Sequence, residues 1–209
     1  MAKSGKNTHL EHLEDEIINK GTAGGDQAIK VLKYMGNFLT GTGTRGVAVT
    51  TKWDGAPAVV CGTDPEDGRF FVGTKSVFAQ DSKICKTKED IYRFYSGALA
   101  QKLEASLNHL SGAGIRGVLQ GDLMFTDDKK VETIDGQRFV TFRPNTITYA
   151  IDPKSEVGKK INSAKLGIVF HTKYTGPTLP QMTASFDVKT SDYNATPGVW
   201  IERAEFQDI

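Results

Sequence analysis

Two apolar runs, Ala58-Val59-Val60-Cys61 and Arg69-Phe70-Phe71-Val72, flank the turn sequence Asp64-Pro65-Glu66-Asp67-Gly68. Valine and phenylalanine favour strands, whereas proline, aspartate and glycine between two such runs favour a reverse turn. We therefore predict a β-hairpin over residues 58–72. An Asp-Gly pair farther along the chain predicts a second hairpin, over residues 131–142.

On both sides of the first hairpin, apolar residues recur with the two-residue spacing of strands in some segments and with the three-to-four-residue spacing of helices in others. Strands are expected at residues 47–52, 118–125, 146–151 and 166–170, and helices at residues 8–20, 26–38, 89–110 and 155–162. Gly21 is expected to end the first helix. Hairpin-connected strands with helices inserted between them predict an α+β fold, with mostly antiparallel sheets and flanking helices.

The expected organisation is a single domain in three parts. Residues 1–45 form an N-terminal helical segment that packs on the body of the protein, and residues 46–178 form the core. Residues 179–209 show little hydrophobic periodicity, and we expect them to form a C-terminal arm.

The chain has 209 residues, a formal net charge of +1 and two cysteines, Cys61 and Cys85. This length is enough to bury a hydrophobic core, and two distant cysteines predict neither a disulfide framework nor a zinc site. The near-zero charge gives no whole-chain electrostatic case for nucleic acid. No signal peptide and no apolar span of about 18 residues is present, so we expect no membrane association and a cytoplasmic location.

The run Lys52-Trp53-Asp54-Gly55 lies just before the first hairpin and carries the candidate chemistry. On a strand, Lys52 and Asp54 would point to the same side, and Gly55 would allow a close backbone approach. A lysine amine becomes nucleophilic when burial or a neighbouring cation lowers its pKa, and Lys75 is the candidate neighbour. Attack on the α-phosphate of a nucleoside triphosphate fits these residues. A surface lysine beside an Asp-Gly turn is the alternative interpretation.

Motifs farther along the chain occur in an order that resembles the covalent nucleotidyltransferase superfamily of ATP-dependent DNA and RNA ligases and mRNA capping enzymes. Lys52-Trp53-Asp54-Gly55 matches its Lys-x-Asp-Gly motif, and Thr74-Lys75-Ser76 is similar to its second motif. The apolar run at 117–123 looks like the third motif, with Asp122 where glutamate is usual. Tyr149 stands on a run similar to the strand that stacks on the base, with Phe142 as the second candidate.

The remaining motifs depart from the pattern of the superfamily. The fourth motif usually has the form Glu-Gly-hydrophobic-Val-x-Lys, and here the corresponding run covers residues 165–171. Leu166 stands where the acid is expected, and His171 stands at the basic position. Lys173 and Lys189 are the candidates for the fifth motif.

The resemblance implies a nucleotidyltransferase-like fold and a lysyl-AMP intermediate on Lys52. ATP and Mg²⁺ or Mn²⁺ would form the intermediate, which is then passed to the end of an RNA or DNA strand. The residues implied at the nucleotide are Asp54, Gly55, Lys75, Asp122, Arg143, Tyr149, His171 and Lys173, and Asp122 is also the implied metal ligand. Asp54 would orient the ribose or the lysine, and Lys75 and Arg143 would contact phosphates.

Other functions stay open on the sequence. The chain is also similar to tailed-phage proteins that carry Lys-Trp-Asp-Gly-Ala-Pro-Ala and Phe-Arg-Pro-Asn-Thr-Ile-Thr-Tyr motifs, which implies the cytoplasm of an infected host. With Leu166 in place of an acid, the protein could have lost catalysis and act as a nucleotide-binding or nucleic-acid-binding module, or as a phage assembly component. Ligases of the superfamily usually carry a further domain, which we expect to be missing or supplied by a partner protein. Use of GTP would make the chain a capping-like guanylyltransferase.

Overall fold

The computed structural model describes residues 13–41 and 51–204 of the chain. The chain divides into two compact units. The first unit contains helix α1, and the second unit, Thr51–Ala204, contains both β-sheets. Within the described ranges, no helix has both the length and the apolar character needed to cross a membrane.

Helix α1, Leu13–Leu39, is kinked at Gly21, whose φ of 57° and ψ of −134° are not helical. Glycine adopts positive φ without a steric penalty, so it is the residue expected at such a break. The predicted helix end at Gly21 is confirmed, but the second helical part follows at once instead of beginning at residue 26. The part of the first helix predicted before Leu13 lies outside the described residues.

The second unit begins with the predicted hairpin and alternates strands with short helices. Its elements are β1 Ala58–Thr63, β2 Phe70–Gly73, α2 Lys88–Phe94, α3 Gly97–Leu110, β3 Val118–Phe125, β4 Lys130–Ile134, β5 Gln137–Phe142, β6 Tyr149–Ile151, α4 Glu156–Ser163, β7 Leu166–Thr175, β8 Thr183–Ser185 and β9 Val199–Arg203. Short 3₁₀ helices cover Lys75–Phe78, Leu179–Gln181 and Thr190–Asp192.

The main sheet has the strand order β2-β1-β3-β7-β8, and β9 pairs with the first half of β7. The neighbouring strands are antiparallel except for β7 and β9, which are parallel. The α+β class with mostly antiparallel sheets is therefore confirmed. Strand β3 lies between β1 and β7, so its side chains meet neighbours from both.

The smaller sheet has the order β4-β5-β6. Its first two strands form the second predicted hairpin, with Asp135 and Gly136 at φ values of 48° and 79°. Positive φ at both central residues is the geometry for which Asp-Gly is favoured. Strand β6 is shorter than expected because residues 143–148 form a loop that precedes it.

The two faces of the main sheet bury different clusters. On one face, Val59, Leu119 and Phe170 pack with Leu103 and Leu110 of α3. On the other face, a second cluster contains Val60, Phe71, Val118, Tyr174, Leu179 and Met182. This alternation along β1 and β3 is the two-residue period of a strand that is covered on both sides.

Two expectations about the ends of the core are corrected by the structure. The expected C-terminal arm instead contributes strands β8 and β9 to the main sheet. The residues before and after position 178 belong to the same compact unit, so no boundary lies there. The strand expected at 47–52 is not formed at Thr51 and Lys52, and its remaining residues lie outside the described part of the chain.

Candidate functional site

The segment Lys52–Pro57 precedes β1 and is held beside β3 by backbone hydrogen bonds at Ala56 and Pro57. The amide of Ala56 donates to the carbonyl of Leu123, and the amide of Leu123 donates to the carbonyl of Pro57, each at 3.0 Å. The segment itself is not a strand, so the predicted alternation of Lys52 and Asp54 on one face does not apply. The side chain of Lys52 is exposed.

Gly55 brings the first and third motifs into contact. A Cβ atom at this position would lie 2.5 Å from the Cβ of Asp122 and 3.0 Å from the sulfur of Met124. Contacts shorter than van der Waals separation require neighbouring atoms to move, so a side chain at residue 55 would displace the segment or Asp122. The glycine is therefore required by packing against Asp122.

Asp122 lies on β3 with two basic side chains near it. The Nε2 of His171 is 3.6 Å from Oδ1 of Asp122, and the two side chains are 19% and 24% exposed. Lys75 is exposed, but partial desolvation of its amine lowers its pKa, and the charge of Asp122 opposes this shift. The structure therefore places His171 beside Asp122, and the charge of Asp122 acts on Lys75. We call these three residues the Asp122 cluster.

Asp54 contacts a distant loop through both carboxylate oxygens. Oδ1 accepts a hydrogen bond from the side-chain amide of Asn145 at 2.8 Å. Oδ2 accepts from the amides of Thr146 and Ile147 at 2.8 Å and from the Thr146 hydroxyl at 2.6 Å. These bonds, led by that of the Thr146 hydroxyl, hold the pKa of Asp54 far below its usual range. We call residues 143–148 the tethered loop.

Tyr149 follows the tethered loop and packs in an aromatic cluster. Its ring stacks on Trp53 at 5.4 Å and on Phe142 at 5.3 Å, measured between ring centroids. Its hydroxyl accepts a hydrogen bond of 2.8 Å from the Asp54 amide. Trp200 of β9 meets Trp53 edge-on at 6.0 Å. The stacking of Tyr149 on a base stays a prediction, and its present ring contacts are with protein side chains.

A β-bulge in β7 decides which basic residues reach Asp122. Gln120 pairs with Thr172 and Gly121 pairs with Phe170, so His171 is the extra residue. Lys173 therefore pairs with Leu119, whose side chain belongs to the cluster under α3, on the opposite face from Asp122. Lys173 instead makes an ion pair of 2.5 Å with Asp192. The structure does not bring Lys173 to the other predicted site residues.

The remaining positions of the fourth motif pack in the core. Leu166, which stands where the acid is expected, is fully buried in the cluster under α3. A Cβ at Gly167 would lie 2.3 Å from the ring of Phe125, so this glycine is required by close packing. The match of the fourth motif at Gly167 thus has a structural cause, and the run supplies no carboxylate to the site.

Sequence reasoning did not predict Asn145, Thr146 and Ile147 as partners of Asp54. Asn and Thr after a proline indicated a polar turn, and that local signal contains no information about a partner some 90 residues earlier. Arg143, in the same loop, is exposed, and its Nε donates a hydrogen bond of 3.3 Å to the carbonyl of Asn145.

Asp122 is the residue predicted to bind a metal ion. Among residues 13–41 and 51–204, no group of three His, Cys, Asp or Glu side chains could hold a metal by itself. Mg²⁺ in nucleotide-binding proteins is often held by one or two carboxylates together with phosphate oxygens and water. Asp122 is a single carboxylate, so a metal ion there would need its other ligands from a bound phosphate and water.

Two grooves of the second unit lie away from the predicted residues. One has a volume of about 910 Å³ and runs along α3, with Lys102, His109, Asp127, Lys129 and Lys165 in its lining. The other, of about 650 Å³, lies beside β9 and includes Tyr193 and Trp200. None of the residues predicted to bind the nucleotide lines either groove.

Comparison with known proteins gave one family and no individual relative. No curated protein and no solved structure matched the chain. One family profile matches residues 7–209, which is nearly the whole chain. The chain therefore belongs to DUF6267, described as a family of unknown function.

Proposed function

We propose that this protein is an ATP-dependent nucleotidyltransferase in which Lys52 forms a covalent lysyl-AMP intermediate, in the manner of a polynucleotide ligase. The observation that supports this most is the contact of Gly55 with Asp122. It joins the Lys-x-Asp-Gly motif to the acid of the third motif, His171 lies beside the same acid, and the charge of Asp122 acts on Lys75. These are the residues that the reaction requires near one another.

In the proposed first step, the neutral amine of Lys52 attacks the α-phosphorus of ATP after losing a proton to solvent. The bond from nitrogen to phosphorus forms as the bond to the bridging oxygen of the β-phosphate breaks, and pyrophosphate leaves. The nitrogen then releases its second proton to solvent, which gives the neutral phosphoramidate N–H. The exposed position of Lys52 allows access by a nucleotide. The ammonium group of Lys75 and a ring N–H of His171 would stabilise the negative charge that develops on the phosphates. Mg²⁺ or Mn²⁺, when bound with the triphosphate, would neutralise the phosphate oxygens further.

In the proposed second step, the adenylate passes to a nucleic-acid end. An oxygen of a terminal 5′-phosphate attacks the same phosphorus, and the bond to the Lys52 nitrogen breaks as a pyrophosphate linkage forms. The nitrogen takes up a proton from solvent. Because the two steps use one lysine, both phosphates must reach Lys52 in turn.

A binding function without catalysis is the second candidate, and Leu166 favours it. The fourth motif of the superfamily places an acid before its glycine, and here that position is a leucine buried in the core. Loss of one carboxylate would weaken metal binding at the triphosphate. In this case the protein would bind a nucleotide or nucleic acid, or act in phage assembly, without forming a covalent intermediate.

Covalent labelling separates the two candidates. The full chain is incubated with α-labelled ATP or GTP and with Mg²⁺ or Mn²⁺, and is then denatured. We expect an acid-labile, alkali-stable label with ATP that is lost in Lys52→Ala and kept in Lys154→Ala, an exposed turn lysine that serves as the matched control. Absence of label with both nucleotides and both metals would leave only the binding function.

Asp122→Ala provides a second test of the same site. We expect this variant to lose the label while its unfolding transition stays cooperative, because the carboxylate is partly exposed and not part of the core. Full labelling in Asp122→Ala would show that the carboxylate binds neither the ribose nor the metal.

A further inference from the structure

Two consecutive residues of the Lys52–Gly55 run, Asp54 and Gly55, contact two different surfaces. Gly55 packs against the Asp122 cluster, and Asp54 is bonded to the tethered loop. Three residues of chain span at most about 11 Å, so Lys52 lies within that reach of the backbone that joins the two surfaces. A lysine that reacts with two phosphates in turn needs a binding surface for each of them.

The tethered loop has a fixed backbone and exposed side chains. Asp54 accepts hydrogen bonds from the amides of Thr146 and Ile147, and the Tyr149 hydroxyl at the end of the loop accepts from the Asp54 amide. The side chains of Arg143, Asn145, Thr146, Ile147 and Thr148 are nevertheless exposed. A loop that is held in place while it presents its side chains to solvent is preorganised for binding.

Arg143 is the cation that this loop presents. Its Nε donates to the carbonyl of Asn145, within the loop itself, which fixes the direction of the guanidinium group. No carboxylate in the described residues forms an ion pair with it. The two terminal amino groups of a guanidinium held in this way can donate in parallel to two oxygens of one phosphate.

We propose that the tethered loop is the acceptor surface of the site and that Arg143 binds the terminal 5′-phosphate of a nucleic-acid strand. This inference rests on the proposed function, because it assigns the second of the two phosphates that meet Lys52. The Asp122 cluster, with Lys75 and His171, takes the triphosphate. Arg143 then holds the 5′-phosphate whose oxygen attacks the adenylate as the bond to the lysine nitrogen breaks.

Binding of 5′-ended oligonucleotides tests this assignment without any need for catalysis. The full chain is titrated with a fluorescent single strand that carries either a 5′-phosphate or a 5′-hydroxyl, and with ATP in a separate experiment. We expect the unaltered chain to prefer the 5′-phosphate by about 10-fold, the ratio typical of a charge-assisted hydrogen-bonded pair. Arg143→Ala should lose this preference, and Arg143→Lys should recover only part of it because lysine cannot form the paired contact.

The matched control is Arg138→Ala, an exposed arginine on β5 outside the loop, which should keep the preference. Thr146→Ala removes a bond that holds the loop and should reduce the preference even though Arg143 is present. An unchanged preference in Arg143→Ala would overturn the assignment, and so would a loss of ATP affinity in place of 5′-phosphate preference.

Failure of this inference is distinct from failure of the proposed function. A chain that is labelled at Lys52 but does not distinguish the two oligonucleotides is a nucleotidyltransferase whose acceptor surface lies elsewhere, and the inference falls. A chain that takes no label but distinguishes them through Arg143 keeps the phosphate assignment, and the proposed reaction falls.

Discussion

Asp54 shows how one carboxylate joins parts of the chain that are 91 to 93 residues apart. Aspartate is short, and its two oxygens accept several hydrogen bonds at once, so it can cap exposed backbone amides of a loop. The sequence motif indicated that Asp54 orients the ribose or the lysine. The structure gives it the loop as a partner, and through that loop it positions the segment that contains Lys52.

Asp54→Ala should lower the free energy of unfolding in a pH-dependent way. The pKa of Asp54 is depressed in the folded state, so its contribution is fully present above the unfolded value of about 3.9 and is lost as the pH falls through the folded value. Urea unfolding of both proteins should show a difference at pH 7 that becomes smaller below about pH 4. A difference that does not change with pH would mean that the carboxylate charge is unimportant.

Gly55→Ala should lower the free energy of unfolding by about 1–3 kcal/mol, the usual cost of overpacking. Its new Cβ would lie 2.5 Å from the Cβ of Asp122. The control is Gly112→Ala, where no atom lies within 4 Å of the added carbon, and a change within about 0.5 kcal/mol is expected. Equal effects of the two substitutions in urea unfolding would contradict the close packing of Gly55.

Strand β7 serves different purposes on its two faces. His171 reaches Asp122 on one face, and Lys173 pairs with Asp192 on the other. Burial alone would raise the pKa of Asp192, but hydrogen bonds from Lys173 and from the Lys189 amide outweigh it, and the pKa is lowered. This pair therefore stabilises the fold at neutral pH, and it is separate from the candidate site.

Lys173→Met should destabilise the protein and leave the Lys52 label intact at temperatures where the protein is folded. Asp192, 7% exposed, would lose its charged partner, at a cost of about 1–3 kcal/mol in the free energy of unfolding at pH 7. Lys189→Met is the control, because its ion pair with Asp187 is exposed and contributes little. Loss of the label in folded Lys173→Met would contradict this prediction and would indicate that Lys173 acts at the nucleotide site.

Strand β9 contributes to the main sheet and to the aromatic cluster. Trp200 is 6% exposed and lies against both Trp53 and Phe125. Trp200→Ala should therefore cost about 3–5 kcal/mol in urea unfolding, as for other buried tryptophans. Almost no change would mean that Trp200 is not packed against Trp53 and Phe125, so the size of the effect tests this packing.

At the scale of the whole molecule, 26 basic and 25 acidic residues give a formal net charge of +1. Such a protein has no strong overall field to attract nucleic acid, so binding must depend on a few local contacts. Each phosphate contact with a single strand contributes a slope of about −0.7 in the logarithm of affinity against the logarithm of salt concentration.

We therefore expect a shallow salt dependence for the 5′-phosphorylated strand, with a slope between about −0.7 and −2. Arg143→Ala should make this slope less negative by about 0.7, because it removes one contact. Titrations at several salt concentrations between about 50 and 200 mM measure the slope for the unaltered chain and for Arg143→Ala. A much steeper slope would reveal an extended basic surface that the proposal does not include.

Elements with strong local signals were predicted well from the sequence. The hairpin turns at Asp64–Gly68 and Asp135-Gly136, and the helix break at Gly21, depend on residues with particular backbone angles. Such preferences act within a few residues, so they can be recognised without the rest of the fold. Strands β8 and β9 were not predicted because residues 179–209 show little hydrophobic periodicity, and both strands are recognised only by their pairing with β7.

The sequence by itself determined the Lys52–Gly55 run, the order of the later motifs and the α+β class. Only the tertiary structure decided which side chains meet. One extra residue in β7, His171, forms a bulge that turns Lys173 away from Asp122, because side chains alternate with a period of two along a strand. Only tertiary packing brings Gly55 against Asp122 and Asp54 to the tethered loop, since both contacts join segments far apart in the chain.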